Sequence, residues 1–429
     1  MFDKTELQSG VNLYTRQTAQ FKTVSVAIKF TAPLTEENAA ARTVLANVLE
    51  DSSAQYPTRT KLRQALEELY GAVYYTDTGK RGNEHIFTIY AESVNEEYLR
   101  NPDVPVFEQL LTLVTESLFN PNLIDGTFDG AIVEREKQTV IDRIGSVYND
   151  KTRFANKRML ELIRAGESAS LSASGTEKAV SAVTKESLKT TYDRMMDEDT
   201  IDIYILGDVD TDQLKDRALT LFPFSSGLRK SGPVIQPQTH EVASAAKHVR
   251  EKQDMKQGKL NMAFSTPVGF KHPDYPKMQM MNGVLGGFAH SKLFINVREK
   301  ESLAYYCSSS YASHYGLLYV MSGIDAEQEE KTAALIDQQI EALRNGDISD
   351  LEIRQTLALL SNSIRSSFDS AKGQIEIYDQ YKLLDENFSA EKLIEEWKRV
   401  TKEDIRQMAT LLTKEITYLL SGREAMDHE

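Results

Sequence analysis

Two histidines one helical turn apart, with a carboxylate between or beside them, would make a zinc hydrolase, because positions i and i+4 share one helix face and two imidazoles there can bind one metal. This sequence has seven histidines (His85, His240, His248, His272, His290, His314 and His428), and no two are four residues apart. Neither His-x-x-Glu-His nor His-Glu-x-x-His occurs. The lone cysteine, Cys307, has no nucleophile signature and reads as a small strand residue. Gly286 and Gly287 lack the Gly-x-x-x-x-Gly-Lys-Ser/Thr spacing of a phosphate loop and read as a turn that ends a helix. Glu50 and Asp51 are adjacent carboxylates on a helical stretch and read as surface charge. Tyr305, Tyr306, Tyr311, Tyr315 and Tyr319 cluster in a hairpin-like region, where sheet packing accounts for most of them.

The elements that would position such residues are legible. FKTVSVAIKF (21–30), HIFTIYAESV (85–94), TIDIYILGDV (200–209) and GLLYVMSGI (316–324) alternate as strands. Helical patterns begin at Thr35 and Pro57, and run from Gly130 to about Leu162, over 274–287, 331–346 and 350–367. Hairpins mixed with long helices predict an α+β class. SSGLRKSGPVIQPQTHE (225–241), rich in Gly, Pro and Ser, reads as a linker, giving domains at 1–224 and 246–429 with 225–245 between them. The halves look related. Val24 to Val48 spans the same strand-to-helix interval as Leu260 to Val284, and TKESLKTTYDRMMDEDTIDIYILGD resembles TKEDIRQMATLLTKEITYLLSG, which indicates a duplication.

Bulk composition narrows the class. The chain has 429 residues, 41% hydrophobic and 27% charged, and a formal net charge of -14, which argues against a nucleic-acid or anionic-membrane surface. One cysteine needs no oxidising compartment, the start MFDKTELQSGVNLY has no apolar signal region, and no apolar run approaches a membrane span. The expectation is a cytoplasmic protein.

Residues 281–306, MNGVLGGFAHSKLFINVREKESLAYY, resemble the second-domain signature of M16 (pitrilysin/insulysin-type) zinc peptidases through Leu285, Gly286, Gly287, Ser291, Leu293, Phe294, Arg298 and Tyr305. PTRTKLRQALEELYGA resembles the helix after that family's zinc motif, and VEREKQTVIDRI (133–144) the helix with its third ligand. The resemblance implies two homologous domains, each an antiparallel sheet covered by helices on one face, of the M16/LuxS-like metallohydrolase type. It puts the inverted motif on TVLAN, with Thr43 for the first histidine, Ala46 for the general base and Asn47 for the second histidine, and the third ligand at Glu134, with Glu136 the other choice. Thr and Asn are poor zinc ligands and Ala is none.

A chain without its own metal, yet with the Arg298–Tyr305 pair, resembles the inactive member of bacterial M16 pairs, some of them associated by name with 5-aminopentanol modification of elongation factor P. The resemblance implies that Arg298 and Tyr305 hold substrate at the site of an active, zinc-bearing partner and that substrates are peptides. It also implies peptide binding by strand addition near the zinc motif, for which HIFTIYAESV is a candidate edge. A structural or assembly scaffold, and a homodimer binding peptide by itself, are the competing expectations.

Overall fold

The computed structural model describes residues 2–225, Arg229 and 245–422; apart from Ser225, Arg229 and Ala245, the expected linker lies outside the described residues. The strands are β1 (Asp3–Gln8), β2 (Val11–Gln17), β3 (Thr23–Pro33), β4 (Val73–Arg81), β5 (Glu84–Val94), a short hairpin of β6 (Leu123–Ile124) and β7 (Thr127–Phe128), β8 (Thr200–Gly207), β9 (Lys247–Gln253), β10 (Gly258–Ser265), β11 (Ala304–Ala312), β12 (Leu317–Ile324) and β13 (Thr413–Gly422). The helices are α1 (Glu36–Asp51), α2 (Arg59–Glu68), α3 (Val106–Phe119), α4 (Gly130–Asn149), α5 (Lys151–Ile163), α6 (Glu177–Ser181), α7 (Lys185–Glu198), α8 (Thr211–Leu221), α9 (Tyr275–Asn282), α10 (Glu329–Arg344), α11 (Asp350–Ser367), α12 (Ala371–Tyr381), α13 (Ala390–Lys398) and α14 (Lys402–Thr410). π-helical turns at Gly283–Gly287 and Leu293–Lys300 follow α9.

One sheet has the order β1-β2-β8-β3-β5-β4, the other β11-β12-β10-β13-β9. Reversing the second aligns β2-β8-β3-β5-β4 with β9-β13-β10-β12-β11. In each, one pair is parallel (β2 with β8, β9 with β13) and the rest antiparallel, so the sheets are not purely antiparallel as expected. The matched helices α7 and α14 each start with a capping box, Thr184 with Ser187 and Thr401 with Asp404, which satisfies the orphan amides before the strand that follows. These correspondences support a duplicated unit.

The chain divides into two compact units that do not follow sequence order. One holds the first half without residues 147–170, plus 368–383; the other holds 147–170 and the remainder of the second half. The stretch from Gly130 to Leu162 is accordingly two helices. Asp150 caps α5 by accepting from the Thr152 and Arg153 amides, and α5 belongs to the second unit. In the first unit, Val24, Val26, Ile28 and Phe30 of β3 face the main core with α1 and α3. The other face, through Ala27 and Tyr204, is covered by Ala371, Ile375 and Tyr378 of α12. In the second unit, Ala155, Met159 and Ile163 of α5 pack on Ala263, Ile416 and Tyr418. Helices therefore cover both faces of the first sheet, because its outer face also carries apolar side chains that must be buried.

Candidate functional site

Thr43, Ala46 and Asn47, the expected positions of a degenerate zinc motif, fall together on α1. Thr35 starts that helix by accepting from the Asn38 amide. Eight residues on, Thr43 is buried, and its hydroxyl bonds Thr78 Oγ1 (2.9 Å) and donates to the Ala173 carbonyl (3.1 Å). Ala46 offers a methyl, and its carbonyl accepts from Thr76 Oγ1 at 2.7 Å. Asn47 accepts from Arg143 Nη2 at 3.4 Å, and its own Nδ2 is buried with no partner. These residues line a cavity of about 740 Å3 with Glu50, Arg63, Glu136, Thr139 and Arg143.

Glu134 is not at this site. It points to solvent, 70% exposed, and pairs with Lys137 at 2.9 Å. Glu136, Thr139 and Arg143 share one face of α4, and this face lines the cavity. Glu136 is buried and held by Arg59 and Arg135, both at 2.9 Å. Asp51, read from sequence as surface charge, is buried between Arg59 (2.8 Å) and Arg135 (2.6 Å). Arg143 was missed by the sequence reading, since an arginine on an exposed helix looks like any solvated charge; its two-turn spacing from Glu136 was the available signal. A hydroxyl already engaged, a methyl, an amide and a guanidinium do not fit zinc, and the fixed cation of Arg143 would repel a dication there. Among the described residues, no cluster of three or more His, Cys, Asp or Glu side chains is arranged to hold a metal.

The expected peptide edge also moves. β5 pairs with β3 on one side and β4 on the other, so HIFTIYAESV is interior, and the edge strand is β4. A two-residue turn joins β4 to β5 with Arg81 opposite Glu84, so Thr76 and Thr78 turn their amides outward. Both amides are occupied: Thr76 donates to Glu50 Oε2 (2.9 Å) and Thr78 to Asp77 Oδ1 (2.8 Å).

Arg298 and Tyr305 lie in the second unit. Arg298 lies in the last turn of the π-helical segment Leu293–Lys300, stacks over the Phe294 ring at 4.6 Å and has Glu299 3.6 Å away. Tyr305 is the extra residue of a β-bulge: Ala304 faces Ile324 and Tyr306 faces Gly323. The bulge turns its ring outward to 63% exposure, with its hydroxyl 3.5 Å from Asp325 Oδ1. Tyr306 instead lies over Gly323, where a Cβ would come within 2.5 Å of its ring. Cys307 is buried in the same strand, and burial pushes its thiol up to about 12, so it is no nucleophile at neutral pH.

Across nearly its whole length the chain resembles a curated bacterial protein, the "Probable inactive metalloprotease YmfF" of Bacillus subtilis, with 37% identity over 415 residues that cover 97% of this chain and 96% of the relative. The chain belongs to the M16 peptidase family. The family pattern described as the peptidase M16 inactive domain matches residues 182–360. The crystal structure of a conserved protein from Enterococcus faecalis V583 superposes with a TM-score of 0.91 at 33% identity, covering 98% of this chain and 99% of that one. A peptidase M16 inactive domain from Pseudomonas fluorescens shares the fold at 16% identity, with a TM-score of 0.79 and 98% of both chains covered. This chain is an inactive M16 metalloprotease homologue.

Proposed function

We propose that this chain is the non-catalytic member of an M16 pair. An active homologue supplies zinc and the His-x-x-Glu-His motif, and this chain supplies Arg298 and Tyr305 to bind the substrate carbonyl at the partner's site. The observation that carries this reading is the contrast between the two places. The zinc positions hold an occupied hydroxyl and a methyl beside Arg143, whereas the Tyr305 phenol is bulged into solvent with its hydroxyl at the limit of hydrogen bonding to Asp325. An exposed donor of this kind is free to meet an oxyanion. The substrate is a peptide or short unstructured polypeptide, and the compartment the cytoplasm. A place in 5-aminopentanol modification of elongation factor P rests only on the resemblance in size and in the missing motif.

A second reading, a scaffold with no part in proteolysis, is favoured by the occupied amides of β4, which leave no free strand edge at Thr76 and Thr78. Co-expression with an M16 homologue from the same genome, read by zinc content and cleavage of a quenched-fluorescent peptide, separates the two. Pairing predicts activity only in the mixture and about a hundredfold fall with Arg298→Ala or Tyr305→Phe, the order of effect seen when one oxyanion donor is lost. An active mixture indifferent to both substitutions establishes the scaffold.

A further inference from the structure

The cavity beside α1 is lined by three carboxylates and three guanidinium groups, and they are unequally engaged. Its carboxylates are engaged: Glu136 by Arg59 and Arg135, Glu50 by the Thr76 amide, Asp77 by the Thr78 amide. Two guanidinium groups lining the same cavity are not. Among the described residues neither Arg63 nor Arg143 has a carboxylate within ion-pair distance, and Arg143 makes only the long bond to the neutral Asn47 amide oxygen. In a chain of net charge -14, two unpaired arginines in one concave site mark a place for an anion. Leu62, Leu66 and Ala72 line the same cavity and give it an apolar wall.

We propose that this cavity binds the C-terminal carboxylate of a peptide, with Arg143 and Arg63 on the carboxylate and the last side chain against Leu62 and Leu66. The strand edge argues for a chain end. A peptide running through would need the outward amides of β4, and Thr76 and Thr78 already spend theirs on Glu50 and Asp77. A terminus entering end-on needs neither. Guanidinium matches carboxylate geometry through two parallel hydrogen bonds, so arginine suits this task better than a metal-ligand set would.

The inference concerns the chain by itself and does not rest on pairing with an active subunit. Its test is calorimetric titration of the full chain with an N-acetylated tripeptide ending in leucine, as the free acid and as the C-terminal amide. The free acid binds, and the amide binds at least tenfold more weakly. Arg143→Gln brings the acid down to the level of the amide, Arg63→Gln weakens it by a smaller factor, and Arg143→Lys recovers part of the loss. Both arginines are exposed, so circular dichroism of the variants is expected to match the parent. Equal binding of acid and amide, binding of neither, or an acid preference that survives Arg143→Gln overturns the proposal. So does equal competition by acetate, which would reduce the site to a simple anion hole. Equal binding of an amide-ended peptide with an internal glutamate would also overturn it, since a side chain and not a chain end would then be the occupant.

Discussion

The two units repeat one strand order and fill the space between helix and sheet differently. In the first, α1 meets the edge strand β4 through polar bridges, Thr43 to Thr78 and Glu50 to the Thr76 amide, and a cavity is left beside them. In the second, the π-helical continuation of α9 approaches the matching edge strand β11 through Gly286. A Cβ there would come within 2.6 Å of the Ser309 backbone nitrogen and of Leu293 Cδ1. The outer faces differ too. The helix α12 docks on the first sheet around buried charge: Asp379 contacts Lys29 (3.0 Å), Arg81 (3.1 Å) and Lys382 (3.0 Å) and accepts from Tyr204 (2.7 Å). The helix α5 docks on the second through Ala155, Met159 and Ile163, with a buried ion pair, Arg164 with Glu415, at its end. One duplicated plan has left an open polar seam at one edge strand and a close one at the other, while both outer-face helices bury charge beside apolar side chains.

The largest test of that contrast is Asp379→Ala. It removes the carboxylate shared by three buried cations, leaving Lys29 to Glu376, Arg81 to Glu84 and Lys382 to Asp202, and losing one partner of such a group costs about 3–5 kcal/mol. Urea unfolding should show it. Replacing Asp379, Lys29 and Lys382 together with apolar residues of similar volume should restore much of the loss, because the charges themselves are costly to bury. Burial alone would raise the Asp379 pKa, but Lys29, Lys382 and Arg81 hold it well below the usual carboxylate range. Its contribution is therefore present above the ordinary carboxylate pKa of about 4 and is lost only as pH falls further. The counterpart in the second unit is Gly286→Val. Ser309 is backbone and cannot step aside as a flexible side chain would, so overpacking should cost about 3 kcal/mol. If that variant unfolds at the parent urea midpoint, the close approach at β11 is not what holds the edge that carries Tyr305.

The legible parts of this arrangement were local. Thr35 and Thr184 announce their helices because a hydroxyl before a helical run can accept an orphan amide. The β4 sequence VYYTDTGKR, more polar than EHIFTIYAESV, carried the sign of an edge strand, yet the apolar run drew the expectation to β5. What could not be read is non-local. Asp379 and Lys29 lie 350 residues apart, and no periodicity in either segment says that α12 belongs with the first sheet. The passage from α4 into α5 keeps a helical pattern through Asp150, so the sequence does not show where the chain enters the other unit. That TVLAN holds no histidine or carboxylate was legible residue by residue; that Arg143 faces the same cavity required the packing of α4 on α1.

A last test isolates the polar contacts of the first unit by pH. His85 is buried on β5 and accepts from Arg42 Nε at Nδ1 (3.0 Å), so its proton is on Nε2, which donates to the Ala173 carbonyl (2.9 Å). Arg42 also pairs with Asp199 at 2.5 Å. Burial first, and the Arg42 cation second, lower the His85 pKa to about 3. The unfolded chain titrates near 6.5, so the unfolded state binds the proton that the folded state refuses. Stability from neutral His85 is complete above about 6.5 and declines as pH falls toward about 3, at up to about 1.4 kcal/mol per pH unit. Amide hydrogen exchange should show β3 and β5 losing protection over that range before β10 and β13. His85→Gln, which can accept from Arg42 and donate to Ala173 without titrating, should flatten the dependence. A parent and a variant with the same pH profile would mean that His85 is not the group that makes the first unit sensitive to acid.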